Sequence, residues 1–317
     1  MNRATNNSLS IVIPTFNRSE YLDICLGMQI PIVANSGIPI FISDNASTDS
    51  TEAVVKKWLK IYANIFYHRN SKNLGPDENF EIALSLPDTK YIWLMGDTYN
   101  IPSDLITVAL EAISNKLVAY DAIIFNVESR VKDIPSKIYK SNCNLLEDIG
   151  WHMTCMSSLI FSKDLIAQAN FTRYRNTNFI QMGIIFEYIA ERNSAVLWIC
   201  DSSVKSIARR NLFKDSWYES TFHIWLDRWP NFVLSLPPSY SISLKLKCIR
   251  DHASKSSQFT IRGLLKHKAC GLLTLKSYNE YRYLFPIALT PSSRMWVLII
   301  LLIPKSILNL LKKTIRK

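Results

Sequence analysis

Glycine is scarce, with 8 among 317 residues, and no two of them fall in the spacing of a P-loop or a dinucleotide fingerprint. Glycine loops that cradle phosphate through the backbone are therefore excluded, and any nucleotide must be held another way. Cysteine is sparse and scattered: Cys25, Cys143, Cys155, Cys200, Cys248 and Cys270 form no Cys-x-x-Cys and have no clustered histidine partners. That spacing argues against a zinc centre and against a disulfide framework, so reduced, mostly buried thiols are expected. The opening MNRATNNSLSIVIP has no charged segment followed by a long apolar stretch, which excludes a secretory signal of that form and predicts a cytoplasmic chain. Acidic residues all but vanish from the last quarter: residues 241–317 hold 2 Asp and Glu against 15 Lys and Arg, whereas residues 1–240 hold 24 against 22.

What is present describes a folded protein. Hydrophobic residues make up 48%, aromatics 11% and charged residues 20%, and mean hydropathy is +0.04. Disorder, collagen-like repeats and a polytopic membrane protein are excluded. The length suits two domains, or one large domain with an appendage. A concentrated basic tail attracts a polyanion, either nucleic acid or an anionic membrane. Met295 to Pro304 reads MWVLIILLIP, too short to span a bilayer, which needs roughly 20 residues. In the following KSILNLLKKTIRK, a helix would gather Ile307, Leu308, Leu311 and Ile315 on one face and Lys305, Lys312, Lys313, Arg316 and Lys317 elsewhere. That pattern suits the interface of an anionic leaflet. A buried C-terminal helix ending in solvated lysines is the competing reading, and nucleic acid is not the expected partner.

Along the first 130 residues, short β-branched runs alternate with amphipathic stretches, the sequence form of βα units in a mostly parallel sheet. Strands are predicted at Ser10–Pro14, Pro39–Ser43, Ile65–Arg69, Tyr91–Met95 and Ala122–Asn126. Helices are predicted near Glu20–Met28, Thr51–Tyr62, Glu78–Leu86 and Ser103–Asn115. Asp49 with Glu52 reads as a capping pair for the second helix, and Pro102 marks the start of the last. Beyond Leu145 the pattern is mixed, with an apolar run Ser157–Phe161, a helix near Phe179–Arg192 and a strand Ala195–Cys200; after about Arg210 it reads as helices only. The expected organisation is a domain over residues 1–210, with a first half to about 130 and a substrate half beyond it. A helical region over 211–317 with a basic, membrane-associating end follows.

In open α/β sheets, ligands sit beyond the carboxyl ends of the strands. Here those positions are polar: Pro14-Thr15-Phe16-Asn17-Arg18, Asp44-Asn45-Ala46-Ser47-Thr48-Asp49, Arg69-Asn70 with Asn73-Leu74-Gly75, and Gly96-Asp97. A rim of carboxylates, amides, hydroxyls and an arginine could hold a nucleotide by its base and ribose and leave the pyrophosphate to a metal ion. Each residue also has a structural reading: Asp44 and Asn45 as an Asx-turn, Asp49 as a helix cap, Asn73 and Gly75 as a tight turn.

The segments SIVIPTFNR, DNASTDST, NLGPDENFEIA and YIWLMGD, in this order and at this spacing, resemble family 2 glycosyltransferases with the GT-A fold. The resemblance covers about residues 8–115 and extends more weakly to about 205. LMGD is similar to a bacterial subgroup that includes abequosyltransferase-like enzymes of O-antigen synthesis. The resemblance implies an α/β GT-A nucleotide-diphospho-sugar transferase fold with a C-terminal helical appendage. It implies an inverting transferase that passes a sugar from a nucleotide-sugar donor to a lipid-linked (polyprenyl diphosphate) glycan, at the cytoplasmic face of a bacterial inner membrane. Pro14, Thr15 and Phe16 would line the base pocket, and Asp44 would accept hydrogen bonds from the base. Asn45 would shape that turn, and Arg69 and Asn73 would face base or diphosphate. Asp97 would bind a divalent cation, Mg²⁺ or Mn²⁺, that neutralises the departing nucleoside diphosphate.

Two departures stand out. Met95, Thr98 and Tyr99 replace the acids that usually accompany Asp97, which predicts weak metal dependence. The family's Glu-Asp pair, which would supply the base, falls on Gln181-Met182, so Glu187 and His152 are the remaining candidates. A second reading follows from these losses, a catalytically inactive relative that binds nucleotide sugar or glycan.

Overall fold

The computed structural model describes residues 6–207, 220–256 and 258–304. They fall into two compact units, residues 6–148 with 152–207, and residues 149–151 with 220–304.

The first unit is built on one sheet of nine strands. The strands are β1 (Leu9–Thr15), β2 (Ile40–Asp44), β3 (Ile65–Arg69), β4 (Tyr91–Leu94), β5 (Tyr99–Asn100), β6 (Ala122–Val127), β7 (Lys137–Tyr139), β8 (Leu159–Ser162) and β9 (Val196–Ser206). Their order is β3-β2-β1-β4-β8-β6-β9-β5, with β7 also on β9. β3, β2, β1 and β4 are mutually parallel, and β8 runs antiparallel between β4 and β6. Every residue of β1 and β4 is buried, as expected of parallel strands covered on both faces. The strand ends match the sequence reading to within a residue or so in the first half. The short β5 and β7 had no signal, since two or three residues carry no periodicity.

Helices α1 (Ser19–Val33), α2 (Thr51–Leu59), α3 (Pro76–Ser85) and α4 (Ser103–Ser114) form the crossovers. α1 runs past the expected Met28 and through Pro31. Its buried face, Leu22, Cys25, Leu26, Gln29, Ile30 and Val33, continues at helical spacing, and the bond that proline lacks falls in the last turn. The Asp49–Glu52 capping pair does not form. Asp49 instead accepts from Thr51 N at 3.1 Å and Thr51 Oγ1 at 2.5 Å, and from Ser19 N at 2.9 Å, so one carboxylate serves the starts of α2 and α1. Burial raises its pKa, but these hydrogen bonds outweigh it and hold it below the usual carboxylate range. Glu52 pairs with Lys56 and Arg69 instead.

The remaining elements of this unit include α5 (Asn142–Ile149), α6 (Lys163–Ala167), α7 (Phe171–Tyr174) and α8 (Ile180–Ile189). Gly183 of α8 lies so close to α7 that a Cβ there would come within 2.3 Å of the Tyr174 ring.

Among its described residues the second unit is helical: a π-helical stretch His223–Arg228, then α9 (Trp229–Ser235), α10 (Ile242–Lys255), α11 (Ile261–Ala269), α12 (Leu275–Tyr281), α13 (Phe285–Ala288) and α14 (Pro291–Leu301). It has its own core of Phe222, Leu226, Phe259, Leu264, Leu273, Val297 and Ile300. The Lys245 ammonium is buried and donates to the Leu234 and Leu236 carbonyls, which satisfies the end of α9. The basic amphipathic end expected over residues 305–317 lies outside the described residues.

Candidate active site

The order of the parallel strands reverses at β1: the chain crosses from β1 to β2 on one side and from β3 to β4 on the other. Such a switch point leaves a crevice beyond the carboxyl ends of the two central strands. Thr15, the last residue of β1, and Asp97, just beyond β4, meet there. The Thr15 hydroxyl donates to Asp97 Oδ2 at 3.1 Å, and the Arg18 guanidinium Nε lies 3.2 Å from Asp97 Oδ1. Asp97 is 5% exposed. Its charge is felt nearby, since burial and then the Asp97 carboxylate push the Cys25 thiol up. Gly96 donates its N–H to Ser157 Oγ at 3.0 Å, and Trp93 Nε1 donates to the Ser157 carbonyl at 2.9 Å, so the segment before β8 fixes the turn that carries Asp97.

The ends of β1 and β2 are clamped together. Asn45 N donates to the Thr15 carbonyl at 2.9 Å, Asn17 N to Ser47 Oγ at 2.8 Å, and Thr48 N to Asn17 Oδ1 at 2.7 Å. Asn17 and Ala46 both adopt left-handed backbone, φ 51° and 63°, a region that asparagine visits more readily than alanine. Asp44 is fully buried. Its Oδ1 accepts from Ser47 N at 2.8 Å and its Oδ2 from the Tyr67 hydroxyl at 2.6 Å, with Arg69 Nε at 3.8 Å. Burial and then the bond to Asp44 push the Tyr67 hydroxyl up, so it stays a donor. Asp44 therefore holds the turn closed through both of its oxygens.

Beside Asp44 the rim asparagines Asn45, Asn70 and Asn73 join Asn79 in one hydrogen-bond network. Asn45 donates to Asn73 Oδ1 at 2.8 Å and to the Gly75 carbonyl at 3.0 Å. It accepts from Asn70 Nδ2 and from Leu74 N, each at 3.0 Å. Asn70 also donates to Asn79 Oδ1 at 3.1 Å, which accepts from Ser43 Oγ at 2.7 Å. Each side-chain amide can donate two hydrogen bonds and accept two, and Asn45 uses all four. Arg69 bridges Glu52 Oε2 at 3.1 Å and the Ser47 carbonyl at 2.6 Å. Phe16 stands exposed at the rim and Pro14 is buried within β1.

The two candidate bases stand elsewhere. His152 is a correction to the expectation from sequence: it is fully buried, with Nε2 3.0 Å from the Phe125 carbonyl and Nδ1 3.3 Å from Arg130 Nε. With Arg130 donating to Nδ1, the proton sits on Nε2 and both ring nitrogens are occupied. Burial, and then Arg130, lower its pKa to about 3, so it is a neutral strut. Glu187, on α8, accepts from Arg173 at 3.1 Å and from the Tyr174 hydroxyl at 2.5 Å, and so fastens α7 to α8. Gln181 is buried with its amide oxygen unbonded among the described residues, and Met182 belongs to the core. The loop before α8 is held on α3 by a double contact of Arg175 with Glu81, both bonds 2.9 Å, and by Asn178 N donating to Asp77 at 2.9 Å.

For a divalent cation, the described residues of the rim offer the Asp97 carboxylate. No group of three or more His, Cys, Asp or Glu that could hold a metal ion occurs among the described residues. Asp97 is nonetheless a hard oxygen ligand, and a cation, the Arg18 guanidinium, already stands against it. The donor set fits an ion that takes its other ligands from a bound diphosphate and water.

A parallel sheet with a polar switch-point rim, continued by an antiparallel β8 and a second half-sheet, defines the GT-A class of nucleotide-sugar-binding folds. The sequence profile of glycosyl transferase family 2 matches residues 10–169, and the chain belongs to that family. Abequosyltransferase RfbV of Salmonella typhimurium is 42% identical over 102 residues, 32% of this chain and 31% of the relative. The match thus spans about a third of that curated relative. Among solved structures, mannosyltransferase PcManGT from Pyrobaculum calidifontis, in complex with GDP-Man and Mn²⁺, superimposes with a TM-score of 0.57 at 14% identity, covering 99% of this chain and 91% of that one. S. aureus TarS 1-349 gives 0.55 at 12%, covering 88% and 81%, and a further structure holds it with UDP-GlcNAc. At these identities the likeness shows the fold.

Proposed function

We propose that the chain is an inverting glycosyltransferase. It takes a sugar from a nucleoside-diphosphate donor bound at the β1–β4 rim and passes it to a lipid-linked glycan during bacterial surface polysaccharide synthesis, as a peripheral protein at the cytoplasmic face of the inner membrane. The observation that carries the reading is the Thr15–Asp97–Arg18 cluster at the switch point. There a nucleotide's diphosphate would meet a carboxylate able to share a cation and an arginine able to pair with phosphate oxygens. The name of the Salmonella relative, an abequosyltransferase, favours a deoxyhexose donor and an O-antigen type of acceptor.

In this reading Pro14, Thr15 and Phe16 line the base pocket with the 44–47 turn. Asn45, Asn73 and Arg69 hold that turn in shape, and Tyr67 and Ser47 hold Asp44. A divalent cation on Asp97 would supply positive charge to the leaving diphosphate; Arg18 contributes to the same charge from the protein side. His152 and Glu187 support the framework.

One observation favours the second reading, a donor-binding relative without turnover: Gln181 and Met182 place no carboxylate at the family's usual base position. Nucleoside diphosphate release from a panel of CDP-, UDP-, GDP- and dTDP-sugars, with bacterial lipid extract as acceptor, separates the two. Release by the wild type and its loss in Asp97→Ala supports the transferase. Tight donor binding without release from any donor supports the binding relative.

A further inference from the structure

We infer that the outer face of α14 is an anionic-lipid docking surface, with Met295, Leu298, Ile299 and Leu302 as the side chains that enter the headgroup and acyl boundary. The inference rests on the membrane-peripheral part of the proposed function and assigns that contact to particular residues.

α14 (Pro291–Leu301) is apolar on two sides, and among the described residues one of them packs into the core. Val297, Ile300 and Leu301 are buried in the core of the second unit, where α11 packs against the helix. Met295, Leu298, Ile299 and Leu302 are exposed by 51%, 47%, 43% and 79%. Their spacing, i, i+3, i+4 and i+7, places them along a single stripe. An isolated exposed leucine needs no explanation, but four large apolar side chains in one helical stripe mark a surface that meets something.

Charge indicates the occupant. From residue 252 to 317 the only acidic residue is Glu280. α11 carries Arg262, Lys266 and Lys268, and the Lys268 ammonium donates to the Leu301 carbonyl at 2.8 Å, which sets a cation at the carboxyl end of the stripe. The sequence after Pro304 adds five Lys and Arg and no acid. Apolar side chains with a lysine at their end, in a stretch of sequence that is almost free of acid, suit an anionic bilayer surface, where acyl chains take the first and headgroups the second. The helix is 11 residues long, about 16 Å, against about 30 Å of hydrocarbon. No helix among the described residues is long and apolar enough to cross a membrane, so α14 would lie in the interface. A second copy of the chain is a weaker occupant. Four exposed side chains fall short of the roughly 800 Å² per partner of a stable interface, and two copies of so basic a region would repel.

The test is sedimentation of the full-length chain with vesicles of phosphatidylcholine alone and of phosphatidylcholine with about a quarter phosphatidylglycerol, alongside Leu298→Glu/Ile299→Glu and a control, Glu20→Gln, on the exposed face of α1. Circular dichroism and solution mass are recorded for each. The wild type and the control are expected to bind the anionic vesicles and to leave the neutral ones largely free. The double variant is expected to bind the anionic vesicles at least tenfold more weakly, with helix content and mass unchanged. Binding by the double variant equal to the wild type would overturn the inference, as would a wild-type dimer that the substitutions dissociate. Nucleotide binding without vesicles is measured on the same samples. If vesicle binding fails while nucleotide binding persists, the docking surface is wrong and the donor site stands.

Discussion

The Thr15 hydroxyl and the Asp97 carboxylate, 82 residues apart in sequence, are joined by a 3.1 Å hydrogen bond that links the ends of β1 and β4 at the point where strand order reverses. Arg18, three residues after Thr15, closes on the other carboxylate oxygen at 3.2 Å. The arrangement sets a buried carboxylate beyond the carboxyl ends of the two central strands against a partly exposed guanidinium at the start of α1.

Arg18 and a metal ion would compete for the Asp97 carboxylate. In the absence of nucleotide, Arg18→Gln is expected to bind Mn²⁺ several-fold more tightly than the wild type, by up to about tenfold. Titration of free Mn²⁺ by electron paramagnetic resonance reads this directly. Weaker Mn²⁺ binding in the variant would mean that Arg18 supports the site by packing.

Asn45 makes four hydrogen bonds with its buried amide. Asn45→Ala would leave Asn70, Asn73, Leu74 N and the Gly75 carbonyl short of a partner, at a cost of about 2–4 kcal/mol. Urea unfolding should show it as a lowered midpoint. A change below about 0.5 kcal/mol would indicate that water replaces the amide.

Stability should fall on acidification through the titration of histidines that are neutral in the fold. His152 is lowered from 6.5 to about 3 and His267 to about 4, both chiefly by burial. Between about pH 6.5 and 4 the unfolded chain takes up protons at these positions that the folded chain refuses. Their contribution is complete above pH 6.5 and is lost as pH falls, up to about 2 kcal/mol each by pH 5. Urea midpoints at pH 7.5 and 5 check this, and His152→Gln should flatten the dependence. A wild-type midpoint independent of pH would contradict the assignment.

Gly183→Ala drives a methyl group toward the Tyr174 ring, 2.3 Å from its nearest atom. The packing of α7 on α8 must open, at about 1–3 kcal/mol, lowering the melting temperature by several degrees. Glu187→Gln keeps an acceptor for Tyr174 and removes only the charge facing Arg173, so turnover should fall by less than about tenfold. A loss of a thousandfold or more with the fold intact would restore Glu187 as a base.

How much of this was legible in the sequence depends on the range of the signal. β1 to β4 and their crossovers are written in local periodicity, and the polar rim follows from strand ends alone. The GT-A order of the second half is not: β8 inserts antiparallel between β4 and β6, a pairing no local pattern encodes. The role of Arg18 was hidden because an arginine after a strand has no preferred partner until β4 brings Asp97 beside it. Asn70 is legible as a rim residue but its partners are not, and only the fold brings it and Asn79 to Asn45 and Ser43. His152 was chosen for its chemistry, which its burial removes. One signal was available: Trp151 and Met153 flank it, in a segment rich in buried side chains.

The most direct test of the donor site is calorimetric titration of CDP, UDP, GDP and dTDP into the full-length chain and into Asp97→Asn, each with and without Mn²⁺. One base is expected to be selected, and its binding to the wild type to be strengthened by Mn²⁺. That strengthening should be lost in the variant while metal-free binding persists. No binding of any of the four, or an equal Mn²⁺ effect in wild type and variant, would contradict a nucleotide site built on Asp97.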